Sequence, residues 1–264
     1  MDYASKVERL DLGGLDLREF SSAPLPSDAL RCLRYMHDVE FHTVCYLRDL
    51  LVTPAHRDPA ITSFLTMWNY EEYWHGEAIG RVLSAHGEEA GPARVALLRR
   101  RRRFAEWLSP LTQSAASTIA GRPFIAVHMT WGAINEWTTQ AGYARLAARA
   151  GHPVLTELLR RIMRQEARHI EFYSSQARER LASSARARRL TRGALRRFWG
   201  PVGSGVMPAD EVRFVCRYLF GDADGRQAAE RIDRRIERLP GLEGLGLLRR
   251  AGQRLVGGVY LAPA

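Results

Sequence analysis

Two short stretches carry the residue types that could do chemistry. Glu72-Tyr73-Trp74-His75 and Glu166-Ala167-Arg168-His169 each set a carboxylate and an imidazole three residues apart. In a helix, residues i and i+3 lie on one face, so both members of a pair point the same way. Carboxylate oxygens and imidazole nitrogens are hard-to-borderline donors that suit iron or manganese. One such pair arises readily by chance. Two acquire meaning only if the chain brings them together, so the elements that carry them decide the reading.

Apolar residues recur at helical spacing through Leu30, Leu33, Met36, Val39, Val44, Leu47, Leu50 and Leu51, with Ser27 or Asp28 as N-cap. Pro54-Ala55-His56-Arg57-Asp58-Pro59 then punctuates. A second helix is predicted from about Pro59 to His86, stopped by Gly87. A third begins after Gly91-Pro92, carries Arg99 to Arg103, and is expected to end or kink at Pro110. A fourth runs from about Phe124 to Ala150, and Gly151-His152-Pro153 separates it from a fifth, about Val154 to Ser183. Shorter helices are predicted around 187–198, 208–221, 224–238 and 242–256. No useful stretch alternates with period two, so the fold class is all-α.

In an antiparallel helical hairpin, residues equidistant from the turn sit level, each position advancing about 1.5 Å. The midpoint between Glu40 and Glu72 is His56, inside the first Pro-flanked turn. The midpoint between Glu136 and Glu166 is Gly151, inside the second turn. Each hairpin therefore sets a lone glutamate level with a Glu-x-x-His pair. The long connection from Gly87 to Arg122, which carries its own helix, fits the crossover of a ferritin-like four-helix bundle. In the dimetal members of that architecture, two helices each give one Glu and the other two each give a Glu-x-x-His. Glu40, Glu72 and His75, Glu136, and Glu166 and His169 supply that set in chain order. Two open-coordinated metals at about 3.5–4 Å activate a small molecule between them. With iron, that molecule is most naturally dioxygen. The expected organisation is an N-terminal leader at 1–27, the diiron helical bundle at 28–185, and additional C-terminal helices at 186–264 packed on the bundle.

These residues resemble the soluble acyl-[acyl-carrier-protein] desaturases of the ferritin-like superfamily. Glu71-Glu72-Tyr73-Trp74-His75-Gly76-Glu77 is similar to the family's E-E-N-R-H-G-D, and Glu166-Ala167-Arg168-His169 with Tyr173 to its D-E-K-R-H-E-x-x-Y. Glu136 followed by Ala144-Arg145-Leu146-Ala147 resembles the Q-E-R … A-R-L-A stretch. The resemblance covers about 28–185. It implies a diiron centre on Glu40, Glu72, His75, Glu136, Glu166 and His169, with dioxygen as co-substrate. It also implies that Thr139, one turn beyond Glu136, sits beside the oxygen site and assists catalysis. The implied activity is abstraction of hydrogen from an unactivated C–H bond of an acyl or acyl-like substrate, in fatty acid metabolism. The implied partners are a ferredoxin-type electron donor and acyl carrier protein. The chain departs from the family at Gln165, where an acid precedes the second-motif Glu, at Tyr143, where a His is usual, and at Tyr73-Trp74, in place of Asn-Arg. A diiron hydroxylase or N-oxygenase of a small-molecule pathway is the alternative activity, and a non-catalytic ferritin-like metal-binding protein the third.

The formal net charge of +10 over 264 residues is almost all arginine, and such a field favours an acidic partner. A nucleic-acid partner would need a motif as well as charge, and none is present. No apolar run approaches the roughly 20 residues that span a bilayer, so no membrane partner is expected. The first residues lack a signal peptide's apolar core, and a cytoplasmic homodimer is expected. Cys32, Cys45 and Cys216 are widely spaced and read as buried free thiols. His37, one turn before Glu40 on the same face, is a candidate extra ligand or hydrogen-bond partner. His128, Met129, Trp68, Trp131 and Trp137 read as core.

Overall fold

The computed structural model describes residues 7–101 and 103–256. Among them are eleven α-helices and no strand, so the chain is all-α. The helices are α1 (Glu19–Ser22), α2 (Ser27–Leu51), α3 (Pro59–Ala85), α4 (Pro92–Arg101), α5 (Arg103–Ala120), α6 (Pro123–Ala150) and α7 (Pro153–Ser183). Four more follow: α8 (Ala185–Phe198), α9 (Ala209–Phe220), α10 (Ala223–Glu237) and α11 (Leu247–Val256).

The boundaries follow from local chemistry. A 3₁₀ turn, Pro54–Arg57, joins α2 to α3. Asp58 caps α3, its side chain accepting from the backbone N–H of Ala60 at 3.2 Å. The same carboxylate accepts from the N–H of Ile61 at 3.3 Å, and Pro59 occupies the first turn. Gly87 ends α3 at a φ of 72° and Gly151 ends α6 at a φ of 62°. Only glycine enters that region without strain. Neither Ser27 nor Asp28 caps α2, which follows Pro26 without a side-chain cap. Pro110 does not end its helix, because α5 runs on to Ala120. Loss of one N–H is tolerated where the helix is partly solvated and water can satisfy the freed carbonyl.

The chain divides into two compact units. The first comprises Met1–Ile119 with Leu146–Arg168, and the second Ala120–Arg145 with His169–Ala264. In the first, α2 packs along α3, α4 packs on α2, and α1 touches α3. Its core holds Leu33, Leu50, Ile61, Phe64, Leu65, Ile79 and Leu83, with Leu155, Leu158 and Ile162 from α7. The ring of Phe41 lies on Gly76, where an added Cβ would come within 2.7 Å of it. Before α2, Leu10, Phe20 and Leu25 are buried. In the second unit α9, α10 and α11 pack on one another. Arg145 of α6 ties into them, donating to the carbonyl of Leu219 at 3.1 Å and pairing with Asp222. Tyr173 lies on Gly132, where a Cβ would meet its ring at 2.4 Å.

Candidate metal centre

Glu40 comes from α2, Glu72 and His75 from α3, and Glu166 from α7, all within the first unit. All four are buried, and each offers one donor atom within 4.8 Å of the others. In the second unit, Glu136 of α6 and His169 of α7 are buried and within the same distance of each other. Glu166 and His169 share α7, one turn apart. Thr139 lies half-buried on α6, three residues beyond Glu136.

The second motif's flank fixes the chemistry of His75. The Gln165 amide donates from Nε2 to the backbone carbonyl of Glu8 at 3.1 Å, so its Oε1 must face the other way. That oxygen lies 2.9 Å from Nε2 of His75. Nε2 therefore carries the proton. Nδ1 faces the carboxylates, 3.3 Å from Glu166 Oε1. Nδ1 is thus the nitrogen placed to ligate a metal, with an outer partner on the far nitrogen. The structure thus gives Gln165, a departure from the desaturase pattern, a defined part in the cluster. Nothing in a lone sequence could reveal it, since Glu8 lies far away in the chain.

The outer layer is polar and tied down. Arg168 pairs with the buried Glu71, which also accepts from the N–H of Glu8 at 3.4 Å. Arg9 stacks its guanidinium 3.9 Å above Trp74, a cation–π contact that holds the same segment. Asp11 and Gly13 accept from Arg161 through their carbonyls, each at 2.9 Å.

His37 has a different role from a ligand. Its Nε2 accepts from the N–H of Gly91 at 2.8 Å, so the proton sits on Nδ1 and is donated to Asp38 at 2.9 Å. Asp38 in turn takes both donors of Arg94 at 2.8 Å each, which raises the arginine's pKa. This buried chain fastens the start of α4 to α2. His128 is buried against Phe124, and burial pushes its pKa down to about 3. Met129, Trp68 and Trp137 are buried apolar groups. The three cysteines are free thiols, Cys32 buried and Cys45 and Cys216 half-buried.

Sequence reasoning also missed His42, Cys45 and Glu106, which come within 4.8 Å of one another. They form a polar clasp between α2 and α5. Glu106 is engaged by His42 at 3.1 Å and by Arg48 at 3.3 Å. Burial and Glu106 push the Cys45 thiol up to about 11.

Buried Glu and His groups thus lie within metal-binding distance of one another, with donor chemistry suited to iron or manganese. No known protein family, characterised protein or solved structure matches the chain.

Proposed function

We propose that this protein is an oxygen-dependent dimetal oxidoreductase on a ferritin-like four-helix bundle, related in chemistry to the soluble acyl-carrier-protein desaturases. The observation that carries the reading is the buried set Glu40, Glu72, His75 and Glu166, with Nδ1 of His75 turned to the carboxylates by Gln165. By the sequence pattern, Glu136 and His169 would complete the donor set of a two-metal centre. Iron held there would supply activation of dioxygen with electrons from a ferredoxin-type donor.

The residues of this chain bind, orient and exclude water. The carboxylates offset metal charge, Gln165 orients His75, and burial keeps the donors dry, which strengthens every electrostatic interaction at the centre. Thr139 sits one turn from Glu136 and is assigned the oxygen side of the site. Desaturation of an acyl substrate, free or on acyl carrier protein, balances as one alkane unit, dioxygen, two electrons and two protons giving one alkene and two waters. The second reading is hydroxylation or N-oxygenation of a smaller substrate, which takes the same inputs but inserts one oxygen and releases one water. It is favoured by Gln165 and the fully buried Tyr143, which replace the family's acid and histidine.

Metal analysis after expression in iron-replete medium is expected to find about two iron or manganese ions per chain. Glu136→Ala and His169→Ala are expected to lose metal. Wild-type occupancy in both variants, or a metal-free wild type, refutes the reading. Mass spectrometry of turnover products separates the two reactions, by loss of two hydrogens or by gain of one oxygen.

A further inference from the structure

A surface helix normally turns its apolar stripe toward the core and its polar face toward water. α5 is the other way round. Its polar residues are directed at α2: Glu106 meets His42 and Arg48, and Ser109 donates to Asp49. Its large apolar residues point outward. Phe104 is 74 % exposed, Trp107 65 %, Leu111 55 % and Ile119 82 %. Phe104, Leu108, Leu111 and Ile119 follow one another at helical spacing along one stripe, with Trp107 at its edge. Fully buried aromatic side chains each cover about 150–250 Å², so Phe104 and Trp107 alone expose roughly 200–300 Å². That is already the scale of a functional apolar patch on a soluble protein.

The charge around the stripe says what covers it. From Pro92 to Ala120 the chain carries six arginines and a single acid, Glu106, which is turned inward; Arg94 and Arg99 are turned inward too, onto Asp38 and the carbonyl of Phe41. Arg100 is exposed. A second copy would bring two exposed Arg100 side chains together on two chains of net charge +10, and among the described residues the segment holds no outward acid to answer them. An anionic lipid surface offers negative headgroups and an apolar interior at once.

We propose that α5 seats this protein on an anionic lipid surface. The Phe104–Trp107–Leu111–Ile119 stripe enters the boundary between headgroups and acyl chains, and Arg100 of the arginine run meets the headgroup phosphates. The helix lies in the plane of the surface, and among the described residues no helix is long and apolar enough to cross a membrane. The clasp of Glu106 and Ser109 onto α2 holds the polar face inward, so the apolar face is presented without any rearrangement. This proposal is independent of the metal centre.

The test is flotation of the purified full chain with phosphatidylcholine vesicles and with vesicles of phosphatidylcholine and phosphatidylglycerol in equal parts. Binding is expected to the anionic vesicles, about tenfold or more weaker to the neutral ones, and weakening as salt is raised. The Phe104→Ser/Trp107→Ser double variant is expected to lose flotation with helix content and metal occupancy unchanged. Arg100→Gln is expected to weaken binding about fivefold. The proposal is overturned if the wild type ignores anionic vesicles, if it floats equally with both kinds, or if the double variant floats as well as the wild type. It is also overturned, in favour of a second copy, if the wild type sediments as a dimer that the double variant converts to monomer.

Discussion

Glu72→Gln should make the metal-free protein more stable and the metal-loaded protein less so. In the first unit Glu72, Glu40 and Glu166 are buried with donor atoms within 4.8 Å of one another. At that outer limit and an effective dielectric of about 20, each like-charged pair costs roughly 3 kcal/mol. Glu72 takes part in two such pairs. The nearby His75 imidazole and the lost carboxylate hydrogen bonds offset much of this, leaving a net gain of about 1–3 kcal/mol from the isosteric amide. For a chain of this size, each kcal/mol moves the melting temperature by about 2–4 °C. The assay is urea unfolding followed by circular dichroism at neutral pH, once with chelator and once with excess ferrous iron under anaerobic conditions. With chelator the variant's midpoint should rise at unchanged slope. With iron the order should reverse, because the wild type gains the free energy of ligation and the variant does not. A variant that is less stable without metal would identify Glu72 as an ordinary satisfied structural group and refute the reasoning.

Gln165→Leu removes the acceptor of the buried His75 N–H and the donor to Glu8. It should cost about 1–3 kcal/mol in metal-free stability and about 10–100-fold in metal affinity by chelator competition. Unchanged affinity would show that the amide does not orient the imidazole. Gly132→Ala drives a Cβ into the Tyr173 ring and should cost about 1–3 kcal/mol by denaturant melt. Gly193→Ala, with open space around it, should be neutral or mildly stabilising. For His128 the folded pKa lies below the unfolded one, so the unfolded chain binds the proton more tightly. The stability it allows is complete above about pH 6.5 and is lost as pH falls toward 3. Wild type should therefore lose roughly 2 kcal/mol more than His128→Leu between about pH 6.5 and pH 4.5 in urea melts. Parallel losses would show that burial leaves the ring's titration unchanged.

The helix punctuation was legible because proline and glycine act locally. Pro59 opens α3, Gly87 and Gly151 close helices at positive φ, and the bounds of α2, α3, α6 and α7 follow from such residues and apolar spacing alone. That Pro110 does not end its helix was not legible, because that effect depends on solvation, which only the tertiary placement of α5 decides. The burial of residues within the leader was out of the sequence's reach. Leu10, Phe20 and Leu25 have no helical period, so their burial depends on what they meet. His37 lies on the right face of α2 by spacing, but Gly91 and Asp38 occupy its two nitrogens, and the Gly91 contact is long-range. The orientation of the α5 stripe was equally out of reach. A stripe of apolar residues shows in sequence, but the polar clasp that turns it outward does not.

The contact between His75 and Gln165 also has a consequence for the charge of the proposed centre. Four carboxylates and two divalent ions sum to zero. An acid at position 165, as in the desaturases, would add one negative charge to this interior. The amide makes the same hydrogen bond to His75 and adds none. Reduction would start from trivalent ions, whose charge four carboxylates leave positive, and a centre spared an extra negative charge would take up an electron more readily. The exchange of one carboxylate oxygen for an amide nitrogen, pinned by the carbonyl of Glu8, would thus bias how willingly the proposed centre is reduced.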